Sequence, residues 1–149
     1  GGARAMKLDI VFEPLPSDDL RRLLEDNVVN VNFARTGEVE WFPVGYFLKS
    51  PRGEWLGGCE GYIWGRWLHV RWLWVSDFLR GRGHATRLMD ATEAYAIERG
   101  AIASTLETFS FQAPGFYMKR GYEVVGQLDD YPPGHTRYTF RKTLARTEP

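Results

Sequence analysis

The stretch Val75-Ser76-Asp77-Phe78-Leu79-Arg80-Gly81-Arg82-Gly83-His84-Ala85 holds the residues whose types and spacing best suit chemistry. It follows a strongly apolar run, Trp67 to Val75, and opens a helical pattern that reaches to about Arg99. Gly81 and Gly83 let the backbone turn tightly and face its amides into one concavity. An amide nest at a helix N-terminus suits a phosphate, because orphan N–H groups and the helix dipole converge there. Arg80 and Arg82 add positive charge, so a diphosphate is the natural guest; a glycine-rich connection with exposed arginines is the plainer alternative. The glycines do not fall as Gly-x-Gly-x-x-Gly, and no Gly-Lys-Ser/Thr follows, so neither a dinucleotide fingerprint nor a Walker loop is present.

The elements that must hold this loop follow from hydrophobic periodicity. Lys7 to Glu13 alternates around Leu8, Ile10 and Phe12, which predicts a first strand broken by Pro14 and Pro16. Ser17 offers an N-cap, Asp18 and Asp19 suit the positive end of the dipole, and a helix with an apolar stripe runs to Gly37. Strands are expected at Pro43–Lys49, Glu54–Trp64 and Trp67–Val75, joined by short turns into an antiparallel meander. Gly57, Gly58 and Gly61 mark a bulge or a close backbone approach in the middle one. In the last, alternation sends Leu68, Val70, Trp72 and Trp74 one way and Trp67, His69, Arg71, Leu73 and Val75 the other. A helix to Arg99 capped by Gly100, a parallel strand Ile102–Phe109, a short helix Gln112–Arg120 and a hairpin of Tyr122–Leu128 with Thr136–Lys142 complete the chain.

Composition bounds the function. A length of 149 residues fits one domain, expected over residues 7–144, with Gly1 to Ala5 read as a cloning remnant and residues 145–149 as a frayed tail. Nineteen basic and nineteen acidic residues cancel, which argues against nucleic acid or an anionic membrane as a partner. Cys59 is the only cysteine, so no internal disulfide forms and a reducing cytoplasm is expected. The three histidines show no ligand spacing, and no metal is implied.

Arg80, Gly83 and Ala85, spaced Arg-x-x-Gly-x-Ala after an apolar strand ending in Val75, resemble the acyl-CoA pyrophosphate loop of the GNAT superfamily of N-acetyltransferases. The run Ser110-Phe111-Gln112-Ala113-Pro114-Gly115-Phe116-Tyr117-Met118-Lys119-Arg120-Gly121-Tyr122 resembles that family's second signature, Asn-x-x-Ala-x-x-Phe-Tyr-x-x-x-Gly-Phe. Ser110 stands in place of the frequent Asn, with a hydroxyl that could replace its contact to the pantetheine arm. Thr105 stands where a Glu is often found, and Glu107 lies two residues on.

The resemblance implies an α/β GNAT fold: a twisted, mostly antiparallel mixed sheet of about six to seven strands flanked by helices, splayed between strands four and five. It implies acetyl-CoA as cosubstrate, held by Trp74 and Val75 through the backbone, by Arg80, Gly81, Arg82, Gly83, His84, Ala85 and Thr86 at the diphosphate, and by Ser110. The expected reaction is acetylation of a small-molecule primary amine by direct attack in a ternary complex. A protein N-terminus or lysine as acceptor, and an acyl-CoA sensor without turnover, are the alternatives. An alkyl amine is mostly protonated at pH 7, so a base must take its proton; Glu107 is the first candidate, then Glu60 and His69. Tyr117 is placed by the motif to protonate the leaving thiolate. The segment after the first helix, with Asn30, Asn32, Phe33 and Arg35, is a candidate roof for the acceptor. Exposed edge strands and surplus aromatics suggest a homodimer through the closing hairpin.

Overall fold

Residues 6–145 are described by a computed structural model, so the expectations for residues 1–5 and 146–149 lie outside the described residues. The chain divides into two units, Gly1–Val39 and Glu40–Pro149. The first contains α1 (Asp18–Thr36), with the Ser17 hydroxyl accepting from the Leu20 amide, Asp18 and Asp19 in the first turn and Gly37 at the C-cap. Lys7–Glu13 is not a strand: alternation alone does not make one, and this segment forms no ladder with any described residue.

The second unit is a six-stranded sheet in the order β1-β2-β3-β4-β6-β5. Its elements are β1 (Trp41–Lys49), β2 (Trp55–Trp64), β3 (Trp67–Val75), α2 (His84–Glu98), β4 (Ala103–Phe109), α3 (Pro114–Lys119), β5 (Glu123–Asp129) and β6 (Thr136–Thr143). β1, β2 and β3 form the expected meander, and α2 crosses over to a parallel β4. The pairing of β3 with β4 covers only Trp67–His69 against Ala103–Thr105. Beyond His69 the two strands part, which is the expected splay.

The bulge expected among the β2 glycines lies at Glu60/Gly61, where the register with β3 steps from Trp72 to Val70 and leaves Arg71 as the extra residue. A Cβ on Gly61 would run into the His69 carbonyl oxygen, so only glycine fits there. The bulge overturns the simple alternation expected in β3. Leu68 and Val70 are buried, whereas Trp72 and Trp74 oppose Glu60 and Gly58 and share the other face with His69, which opposes Tyr62.

One sheet face is a core. Cys59, Ile63, Leu68, Val70 and Leu106 pack with Leu88, Met89 and Ala96 of α2 and with Phe140 of β6. The same helix face carries Glu93, which is 7% exposed. Its Oε2 accepts from Arg120 at 3.0 Å and from the Tyr122 hydroxyl at 3.1 Å, and its Oε1 accepts from Lys142 at 2.5 Å. Two cations and a phenol compensate one buried carboxylate, and the arrangement fastens α3 to α2 and β6. The hydrogen bond from Arg120 to Asp90 at 2.9 Å adds to that attachment.

Candidate active site

The loop after β3 leaves amides unpaired beside two exposed arginines. Asp77–Leu79 makes one 3₁₀ turn, Gly81 and Gly83 take φ of 76° and 81°, and Gly83 is the N-cap of α2. Unlike α1, this helix has no side-chain cap and no acidic residue in its first turn. The amides of His84, Ala85 and Thr86 donate to no described group, since the first helical bond runs from Arg87 to Gly83. Arg80 lies against Asp77 at 3.0 Å, with both side chains largely exposed, and Arg82 is exposed. His84 turns its Nδ1 to Arg87 at 3.2 Å. Thr86 borders a cleft of about 390 Å³ between α2 and α3, with Phe116, Lys119 and Arg120 on its far side.

Trp74 and Val75 lie past the last β3–β4 pair, so along this stretch the β4-facing edge of β3 is open. Because N–H and C=O groups alternate in direction along a strand, one of the two turns its backbone groups to that opening. Ser110 follows β4 and is bonded toward β6: its amide donates to the Thr136 carbonyl at 2.8 Å and its Oγ accepts from the Thr136 amide at 3.0 Å. The hydroxyl proton is left for another acceptor. Gln112 Oε1 accepts from the Phe109 amide and the Thr108 hydroxyl, both at 3.1 Å, and so shapes the turn into α3.

Tyr117 lies on the core side of the opening. Its ring contacts Phe116, Tyr122 and Phe140, with centroid distances of 5.1, 5.9 and 6.1 Å. Burial pushes its phenol up to about 12, with the nearby Cys59 thiol adding to the shift and Arg120 opposing it. Phe140 is on β6, and Tyr117 packs against the core that also holds Cys59 of β2. The hydroxyl bonds to no described residue. Cys59 itself is fully buried and its thiol is pushed up by burial, which makes it a packing residue rather than a nucleophile.

On the opposite face, two of the three base candidates meet. Glu107 Oε2 is 3.0 Å from His69 Nε2, and His69 Nδ1 is 2.9 Å from the Tyr62 hydroxyl. The third candidate, Glu60, is instead bonded to Arg71, whose guanidinium lies 5.2 Å over the Tyr62 ring. Next to this chain is an apolar cleft of about 460 Å³ lined by Phe47, Trp55, Gly58, Glu60, Trp72 and Trp74. Tyr62 was not singled out by the sequence; its only signal was the Gly65-Arg66 turn, whose register pairs Trp64 with Trp67 and so sets Tyr62 opposite His69.

A profile of the acetyltransferase (GNAT) family matches residues 12–122, spanning the loop, the opening and α3. The chain belongs to the GNAT acetyltransferase family. It is 47% identical over 99 residues to the blasticidin-S acetyltransferase of Streptomyces morookaense, covering 66% of this chain and 73% of that one. An acetyltransferase from Bacillus cereus is 31% identical, with a TM-score of 0.79 over 89% of this chain and 97% of that one. A nourseothricin acetyltransferase is 25% identical, with a TM-score of 0.60 over 67% and 64%. The protein is thus an acetyltransferase with the α/β GNAT fold. No group of three or more metal-ligating side chains occurs among the described residues, and no described helix is long and apolar enough to cross a membrane.

Proposed function

We propose that this acetyltransferase moves the acetyl group of acetyl-CoA to a primary amine of a small molecule by direct attack in a ternary complex. The observation that carries the reading is the uncapped N-terminus of α2, with Gly81 and Gly83 ahead of it, next to a sheet that opens past His69. The diphosphate takes the free amides and the charge of Arg80 and Arg82. The pantetheine arm lies along Trp74 and Val75 as an added strand, with the Ser110 hydroxyl just past the end of β4. His84, Ala85 and Thr86 supply the first turn of the helix.

The chemistry divides between the two sides of the gap. The ammonium gives up two protons: one ends on the CoA thiol and one leaves to solvent. His69, with Glu107 as its partner, takes the proton that must leave before attack. Tyr117 faces the leaving sulfur. A phenol held near 12 stays protonated throughout the neutral range and is a weaker acid than a thiol, so it acts chiefly by hydrogen-bonding the departing thiolate.

Similarity to the blasticidin-S acetyltransferase supports a small-molecule acceptor, and the aromatic cleft beside Glu60 supports a flat or apolar body on it. We further infer one catalytic domain over residues 7–144, a cytoplasmic protein, and a homodimer joined at the edge strand β5, where Val124, Val125 and Leu128 are exposed. The test is an amine screen headed by blasticidin S, with acetyl-CoA as donor and free thiol as readout. Wild type should release thiol only with an amine present. Gly83→Asp should abolish acetyl-CoA binding: the space there is open, but φ is 81° and the new charge opposes the diphosphate. A Gly83→Asp protein that binds acetyl-CoA as well as wild type contradicts the loop assignment.

A further inference from the structure

We propose that Tyr62 is the catalytic residue that first receives the acceptor's proton, handing its own to His69 in a relay that ends on the imidazole, with Glu107 as its counter-charge; the inference rests on the acetyl transfer proposed above. The direction follows from the partners. A carboxylate only accepts, so the imidazole nitrogen facing Glu107 at 3.0 Å carries the ring proton. Nδ1 is then the bare nitrogen of the neutral ring, and it accepts the Tyr62 O–H at 2.9 Å. Tyr62 therefore holds its oxygen lone pairs free for a donor, and an ammonium is a donor with three N–H bonds.

The step balances. One N–H bond of the ammonium breaks and leaves its electron pair on nitrogen. The proton bonds to Tyr62 Oη as the former phenol proton bonds to Nδ1. Imidazole becomes imidazolium, and Glu107 is the counter-charge beside it. The amine, now neutral, has the lone pair that attacks the thioester.

Position supports the role. His69 and Thr105 form the last β3–β4 pair, so the relay stands at the apex of the opening, where the reacting carbon of a thioester held along β3 would arrive. Trp41 stacks on Tyr62 at 6.1 Å, and the Arg71 guanidinium lies over the Tyr62 ring. Arg71 also binds Glu60 at the rim of the aromatic cleft, so one unbroken chain of contacts joins the cleft to the apex. The charged and titratable groups on this face include His69, Tyr62, Glu60, Arg71 and Glu107, with Lys49 over Trp55 at the cleft and Arg141 on Glu123 and Arg137 over Tyr131 farther along β6.

The experiment uses the amine that wild type acetylates and compares Tyr62→Phe at pH 7 and at about pH 9.5, where the free fraction of an alkyl amine is on the order of a hundredfold higher. Tyr62→Phe keeps the Trp41 and Arg71 contacts and should leave melting temperature and acetyl-CoA affinity unchanged. At pH 7 kcat/KM should fall roughly thirtyfold or more, and the deficit should shrink to within about threefold at the higher pH. His69→Gln should show the same converging deficit, and the double variant should be no worse than either single one, as for groups acting in one relay. A Tyr62→Phe loss below about threefold at pH 7, or one of equal size at both pH values, overturns the relay while leaving acetyl transfer standing. A wild-type protein that acetylates no amine overturns the transfer itself, and the relay with it.

Discussion

The two faces of the β1–β3 meander are made from the same three strands and serve opposite ends. Toward α2, Cys59, Ile63, Leu68 and Val70 are buried among Leu88, Met89 and Ala96, and the one charged intruder, Glu93, has each oxygen bonded. On the other face His69 bonds Tyr62 and Arg71 bonds Glu60, the two pairs meeting where Arg71 lies over the Tyr62 ring, with Trp72 and Trp74 beside Glu60. The difference arises from one extra residue. Without the bulge at Arg71, strict alternation would place Trp72 and Trp74 with Leu68 and Val70, and the aromatic cleft and the relay would fall on different faces.

The largest expected effect is therefore at the bulge. Gly61→Ala sets a methyl group against the His69 carbonyl oxygen, which must move the backbone of β3. Loss of cooperative thermal unfolding, or a destabilisation above about 3 kcal/mol in denaturant, is expected. A variant within about 0.5 kcal/mol of wild type would mean that the two strands have another register.

A smaller contrast separates the faces themselves. Leu68→Ala, at a fully buried position, should cost about 2–5 kcal/mol by leaving a cavity. Trp72→Ala, on the opposite face and 74% exposed, should cost under about 1 kcal/mol and instead raise the acceptor KM. Denaturant midpoints and steady-state kinetics on both proteins measure the contrast, and a larger stability loss at Trp72 would reverse the assignment of faces.

Local chemistry was legible in the sequence. The Gly81–Gly83 turn, the strand-to-helix step and the Ser17 cap of α1 each depend on residues within a few positions, and all appear as expected. The glycines of β2 announced a bulge, but not which β3 residue it would expel. Lys7–Glu13 had the period of a strand, yet a strand exists only with a partner, and the partner is invisible in one segment. The His69–Glu107 bond spans 38 positions and two strands, so the sequence could name both residues as bases without joining them. Glu93 was hidden for a different reason: it sits four residues after Met89 on the buried stripe, where a carboxylate is unexpected until Arg120 and Lys142 arrive from distant elements.

In the proposed reaction, acetyl transfer takes place in the gap between β3 and β4, with a phenol on its core side. Tyr117→Phe tests it most directly, because it removes one oxygen and keeps the ring on Phe116, Tyr122 and Phe140. Under single-turnover conditions with acetyl-CoA bound and the acceptor saturating, the rate of acetyl transfer should fall roughly a hundredfold, with melting temperature and acetyl-CoA affinity unchanged. A transfer rate within about threefold of wild type would contradict the claim and leave water as the partner of the departing thiolate.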